Sequence, residues 1–103
     1  MWWRRARARE RKGMGMDRQT FEAGLKRDGY EILTNTTPGV KVNPEHSHPY
    51  DVRAMVLKGA ITITSASEAK TYKPGDSWDL ARGCLHSESY GPEGAVVLFG
   101  RKT

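Results

Sequence analysis

The run Gly39-Val40-Lys41-Val42-Asn43-Pro44-Glu45-His46-Ser47-His48-Pro49-Tyr50-Asp51-Val52-Arg53-Ala54-Met55-Val56-Leu57-Lys58-Gly59 carries two of the chain's three histidines as an H-x-H pair. The pair lies in a stretch that alternates as a β-strand does, where successive side chains point to opposite faces and positions i and i+2 share one. Their Cα atoms are then roughly 6.6 Å apart, from a rise of about 3.3 Å per residue. Two imidazoles at that spacing can converge on one ion, at nitrogen–metal distances of about 2.0–2.1 Å for zinc. The third histidine, His86, sits in a second strand-like stretch, Cys84-Leu85-His86-Ser87-Glu88. A third imidazole delivered from a facing strand completes a facial set with open positions opposite it. Such a set can act on a bound small molecule, whereas a closed structural site leaves no vacancy. A bare H-x-H also occurs as ordinary surface histidines. Here the chain has no other histidine, and turn residues bracket all three.

Around this run the chain is punctuated at short intervals. Asp17–Asp28 reads as an amphipathic helix, with Phe21 and Leu25 one turn apart, Asp17 as N-cap and Gly29 as the stop. After Gly29 the period shifts to two. Strands are expected at Tyr30–Asn35, Val40–Asn43, Arg53–Lys58, Ala60–Ser65, Lys70–Tyr72, Ser77–Leu80, Leu85–Tyr90 and Ala95–Phe99. Pro38-Gly39, Gly59, Pro74-Gly75 and Gly91-Pro92-Glu93-Gly94 read as turns. About eight short strands with Gly/Pro corners and one leading helix argue for an all-β antiparallel sandwich or barrel. A parallel sheet would need crossover helices, for which there is no room.

At 103 residues the chain is one domain. A single cysteine, Cys84, excludes an internal disulfide and fits a reducing compartment. No stretch approaches the ~18 apolar residues of a membrane span, and no apolar run follows the basic N-terminus, so neither a membrane partner nor a secretory signal is expected. The cytoplasm is the expected location. The net charge of +5 resides wholly in residues 1–13, which hold Arg4, Arg5, Arg7, Arg9, Arg11 and Lys12 against Glu10. The remainder is electrically balanced, so nucleic acid is not an expected partner of the body. The basic segment could be an arm for phosphate backbones or a targeting fragment without the usual serines. The reading preferred is a tail or translated leader, residues 1–16, upstream of the ordered pattern and containing Met14 and Met16. With Trp2 and Trp3 beside an arginine run it is expected to lie outside the fold. Removing residues 1–13 is then expected to leave thermal stability unchanged.

Two motifs give the chain a family resemblance: over about residues 30–100 it resembles a small single-domain cupin. Residues 39–59 follow the family's first motif, G-x5-H-x-H-x3/4-E-x6-G, and residues 75–90 follow its second, G-x5-P-x-G-x2-H-x3-N, at Gly75, Gly83 and His86. The resemblance implies a jelly-roll barrel over 17–103 with His46, His48 and His86 at the metal-ligand positions. It also implies a homodimer formed through an edge strand. Three departures stand out. Gly39 precedes His46 by one residue too many, which a turn or bulge can absorb. Ala81 and Tyr90 replace the usual proline and asparagine. Val52 fills the glutamate slot, and Asp51, one residue earlier, points to the other face in regular alternation.

The candidate centre therefore takes one divalent transition metal ion, with Fe, Zn, Ni, Mn and Cu all admissible. It is expected to be a three-histidine site, with Asp51 (turned inward by a bulge) or Glu88 (two residues past His86) as alternative carboxylates. Both acids also suit a solvated surface. Arg53 and Tyr50 are candidates for gripping an anionic small-molecule ligand. Cys84 could face the pocket or serve as a small buried hydrophobe, and Trp78 and Tyr90 are expected in the barrel wall. Two functions fit: a dioxygenase-like or isomerase-like enzyme on a small polar molecule, or a non-catalytic metal- or ligand-binding module with a sensing or regulatory role.

Overall fold

The computed structural model describes residues 9–11, as backbone, and residues 17–103. Its elements are β1 (Arg9–Arg11), α1 (Arg18–Arg27), β2 (Glu31–Thr37), β3 (Lys41–His46), β4 (Asp51–Ser65), β5 (Glu68–Tyr72), β6 (Ser77–Leu80) and β7 (His86–Lys102). Every strand pairing is antiparallel. β4 and β7 pair with each other from Asp51↔Lys102 to Thr64↔Ser87. The first half of β4 also pairs with β6, its second half with β5. β7 pairs likewise with β3 along its first half and β2 along its second. Each long strand thus belongs to two sheets, and the chain forms the antiparallel jelly-roll barrel that its patterning implies.

Two expectations about chain reversals are corrected. Gly91-Pro92-Glu93-Gly94 is a bent stretch within one continuous β7, and β4 runs unbroken through Gly59. The register of β4 against β7 shifts between Val56 and Lys58 and again between Gly59 and Ile61, so bulges make the corner. Gly59 and Gly94 sit at φ of +79° and +68°, in the left-handed region. A Cβ on Gly59 would overlap the Gly94 carbonyl oxygen, and one on Gly94 would overlap the Thr37 carbonyl oxygen. Glycine here permits backbones to cross closely, not the chain to turn back.

Residues 9–11 also differ from expectation. Arg9–Arg11 pairs with Ser77–Asp79 as an edge strand on β6, because a sheet edge offers unpaired groups to any extended neighbour. The rest of segment 1–16 lies outside the described residues.

Alternation along β4 divides the core. Val52, Ala54 and Val56 face the barrel interior with Ile61 and Ile63, whereas Met55 turns outward to Phe21 and Leu25 of α1 and to Leu98. The helix ends are set by side chain and backbone. Asp17 Oδ1 accepts from the Thr20 N–H at 2.8 Å. At the other end Tyr30 N–H donates to the Leu25 carbonyl at 2.9 Å and Gly29 N–H to that of Lys26 at 3.1 Å, with Gly29 at φ +79°. That double closure, with Tyr30 packed against Leu25's cluster, fixes the angle at which the chain enters β2.

Candidate metal centre

Three elements deliver the histidines to one mouth of the barrel. His46 closes β3, His48 lies two residues on in the connection to β4, and His86 opens β7. His46 and His86 are cross-strand partners, and the register of β3 shifts between Asn43 and His46. Regular alternation would put Asn43 and His46 on opposite faces; the bulge turns both into the same cavity. It also absorbs the extra residue between Gly39 and His46.

The candidate ligand atoms of His46, His48 and His86 all lie within 4.8 Å of one another. Ring centroids are 4.3 Å apart for His46–His86, 4.9 Å for His46–His48 and 5.2 Å for His48–His86. His46 Nδ1 is 2.7 Å from the Pro44 carbonyl oxygen, and His86 Nδ1 is 3.0 Å from that of Cys84. A carbonyl only accepts, so each Nδ1 carries the proton and each Nε2 presents a lone pair, the arrangement that orients metal-ligating histidines. His86 is 1% exposed, and its Nε2 makes no hydrogen bond. The Glu88 carboxylate stands 3.5 Å from it, an ion-pair separation too long for a good hydrogen bond. A buried ring nitrogen is costly to leave unmet, and a metal ion would meet it. The three imidazoles therefore fit a divalent ion.

Electrostatics separate the three rings. Burial, helped by His86 and His46, holds His48 below the ordinary histidine value, in the neutral form that binds metal. Burial also pushes His86 down, but Glu88 and the Cys84 carbonyl outweigh it and leave His86 raised. For Glu88, burial pushes up, while the nearness of His86 and the hydrogen bond from Asn43 prevail and hold the carboxyl low. Asn43 Nδ2 donates to Glu88 Oε1 at 2.6 Å.

The histidine mouth opens on a cavity of about 270 Å³. Val52 lines it, as the alternation of β4 requires, and Asp51 does not. Asp51 instead accepts from the Arg82 backbone N–H at 2.8 Å, with the Arg82 guanidinium at 3.3–3.4 Å. That clamp holds the β6–β7 connection, which in turn binds both sides of the centre. Gly83 N–H donates to the His48 carbonyl at 2.9 Å, and Cys84 supplies the carbonyl that orients His86. Asp51 thus supports the site from behind and is not turned inward.

Arg53 is likewise corrected as a gripping residue for the cavity. It shares the outward face of β4 with Asp51 and binds Asp28 at 2.6 Å, its guanidinium 4.9 Å above the Tyr30 ring. Tyr50 does line the cavity, stacked on His48 with centroids 4.9 Å apart and planes 10° from parallel. Cys84 is buried in the barrel core, where burial pushes its thiol up. Glu88, Trp78 and Tyr90 face the cavity. So do Asn35 and Asn43, which sequence reasoning passed over because neither holds a position that a motif specifies. Their only signal was a polar side chain in a strand, at Asn43 beside the surplus residue that the bulge takes up.

No protein-family model and no curated protein matches the chain. Solved structures do match its fold. KdgF from Halomonas sp. is 21% identical over 72% of this chain and 70% of that one, with a TM-score of 0.60. A cupin-2 domain protein from Shewanella frigidimarina is 18% identical over 71% of each chain, also at 0.60. An HTH_3 family transcriptional regulator from Vibrio cholerae is 16% identical over 76% of this chain and 45% of that one, at 0.61. The chain therefore has the fold of a small cupin, with three histidines close enough together to hold a metal ion.

Proposed function

We propose that this small cupin binds one divalent transition metal through His46, His48 and His86 and acts on a small polar molecule as a dioxygenase-like or isomerase-like enzyme. The observation that carries this reading is the convergence of the three ligand atoms within 4.8 Å, with two rings pinned at Nδ1 by backbone carbonyls. Fe, Zn, Ni, Mn and Cu all accept imidazole; when bound, such an ion supplies Lewis acidity or, in the case of iron, oxygen chemistry. The chain's own part is to fix the ring tautomers, to wall off water with Val52, Trp78 and Phe99, and to place Glu88 beside His86 as a candidate fourth ligand.

Elemental analysis of protein purified without a metal-affinity tag tests the reading. About one equivalent of metal is expected, reduced to a trace in His46→Ala. A metal-free wild type, or undiminished metal in the variant, overturns it. Where iron is found, oxygen uptake against diketones, thiols and catechols identifies a dioxygenase.

A second reading, a non-catalytic metal- or ligand-binding module with a sensing or regulatory role, draws on the likeness to the Vibrio cholerae regulator. Ligand binding without turnover of any panel compound would favour it. In either case we place the protein in the cytoplasm as a homodimer. Its single cysteine suits a reducing compartment, and no helix among the described residues is long and apolar enough to cross a membrane.

A further inference from the structure

The cavity behind the histidines has two unlike walls. β4 and β6 contribute Val52, Ala54, Trp78 and Leu80, a surface of carbon. That wall continues through Val97 and Phe99 of β7 to Asn35 on β2, while β3 and the first half of β7 contribute Asn43, Glu88 and Tyr90 across the cavity. Among the described residues no lysine or arginine lines the cavity. Arg53 is taken up by Asp28 on the far face of β4. Arg101, 5.6 Å from the Tyr50 ring, is bound to Glu31 at 2.7 Å. An anionic group on a ligand would therefore find no cation away from the histidines, and it would face the Glu88 carboxylate.

Size narrows the ligand further. An apolar cavity of about 150 Å³ is enough to take up benzene. At about 270 Å³, this one admits a single ring with one or two substituents. One Glu88 oxygen is held by Asn43, while Oε2 lies 3.5 Å from His86 Nε2. A ligand hydroxyl reaching that corner would donate to Oε2, and the Asn35 and Asn43 amides can both donate and accept.

We infer that the cavity selects a neutral, ring-sized molecule bearing hydroxyl donors, whose apolar body lies on the Val52–Trp78 wall and whose hydroxyl points to Glu88 and the two asparagines. Carboxylated and phosphorylated analogues are rejected by the absence of a cation and by like charge. This rests on the reading of the cavity as the ligand site, but it does not depend on which metal the histidines take.

The test uses the full-length chain, treated with a chelator so that no probe can bind through a metal. Phenol and 4-hydroxybenzoate are titrated separately while the side-chain amide signals of Asn35 and Asn43 and the indole signal of Trp78 are followed by NMR. Phenol is expected to shift all three signals and to bind about tenfold or more tightly than 4-hydroxybenzoate, a margin in keeping with the cost of juxtaposing like charges. Glu88→Gln removes the like charge and is expected to narrow that margin by tightening 4-hydroxybenzoate relative to phenol. Equal or tighter binding of 4-hydroxybenzoate through the same signals overturns the inference, as does phenol moving none of them. Metal content, measured separately, distinguishes the two failures. Metal present with phenol unbound sinks this inference alone, whereas phenol bound to a protein that purifies without metal sinks the metal reading alone.

Discussion

Val52 and Asp51 stand one residue apart and have opposite duties. Val52 brings no ligand atom to the mouth, and Asp51 secures the connection that holds the His48 backbone and the His86 ring. Asp51→Ala should release the Arg82 backbone N–H and loosen Gly83 and Cys84 together. Metal affinity should then fall by about 10–100-fold, the usual cost of losing an outer partner of a ligand, as read by competition with a chromophoric chelator. Asp51→Asn keeps an acceptor for that N–H and should fall much less. An equal loss in both variants would show that the charge, and not the clamp, matters. Glu88 sets a pH dependence in the metal-free protein. Its folded value is depressed, so its stabilisation is present above the ordinary carboxylate value and is lost as pH falls through the lower folded one. His86 has the reverse sign: its raised value gives stability below the ordinary histidine value, lost as pH rises through the folded one. Urea titrations across pH should therefore show Glu88→Gln flattening both limbs; an unchanged profile would exclude the pair as their source.

At the scale of elements, Gly59 and Gly94, both left-handed, carry the barrel's corner. Gly94→Ala combines an unfavourable φ with overlap on the Thr37 carbonyl, so it should cost at least about 2 kcal/mol in denaturant midpoint measurements. Gly83→Ala, at a similar φ of +79° but with open space around it, should cost about 1 kcal/mol. Leu25→Ala removes the helix's most buried contact and should cost about 2–4 kcal/mol. Much of this architecture was legible in the sequence. Period-two alternation located most strands, the H-x-H spacing pointed to two members of the histidine cluster, and the parity of 51 against 52 placed Val52 inward. Arg53, expected to grip a ligand, shares the outward parity of Asp51, and its attraction to Asp28 depends on how α1 packs, which alternation does not encode. The continuity of β4 and β7 was hidden for a chemical reason. Gly-Pro-Glu-Gly at a chain reversal and at a bulged corner is the same sequence, and only the partner strand decides between them. The bulge that turns both Asn43 and His46 inward was hinted at by one surplus residue after Gly39.

For the molecule as a whole, β3 is the place where a second copy would attach. Among the described residues it pairs only with β7, leaving its other edge open, and it presents Val42, 66% exposed, beside Val40 at 73%. Apolar residues on an open edge are an association surface unless covered. Light scattering at micromolar concentration should give a dimer mass for the wild type and a monomer mass for Val42→Lys; a monomeric wild type would refute the homodimer.

The two long strands have a consequence for how the molecule opens. Because β4 and β7 each run through both sheets, neither sheet can detach without breaking the ladder it shares with the other. Native-state hydrogen exchange should therefore find amides of Val52–Val56 and Ile61–Thr64 opening together, with one common free energy equal to that of global unfolding. Only α1, attached through Phe21 and Leu25 to a separate cluster, should exchange earlier as a unit of its own. A jelly roll built this way should unfold in one step at the histidine mouth and at the opposite end alike.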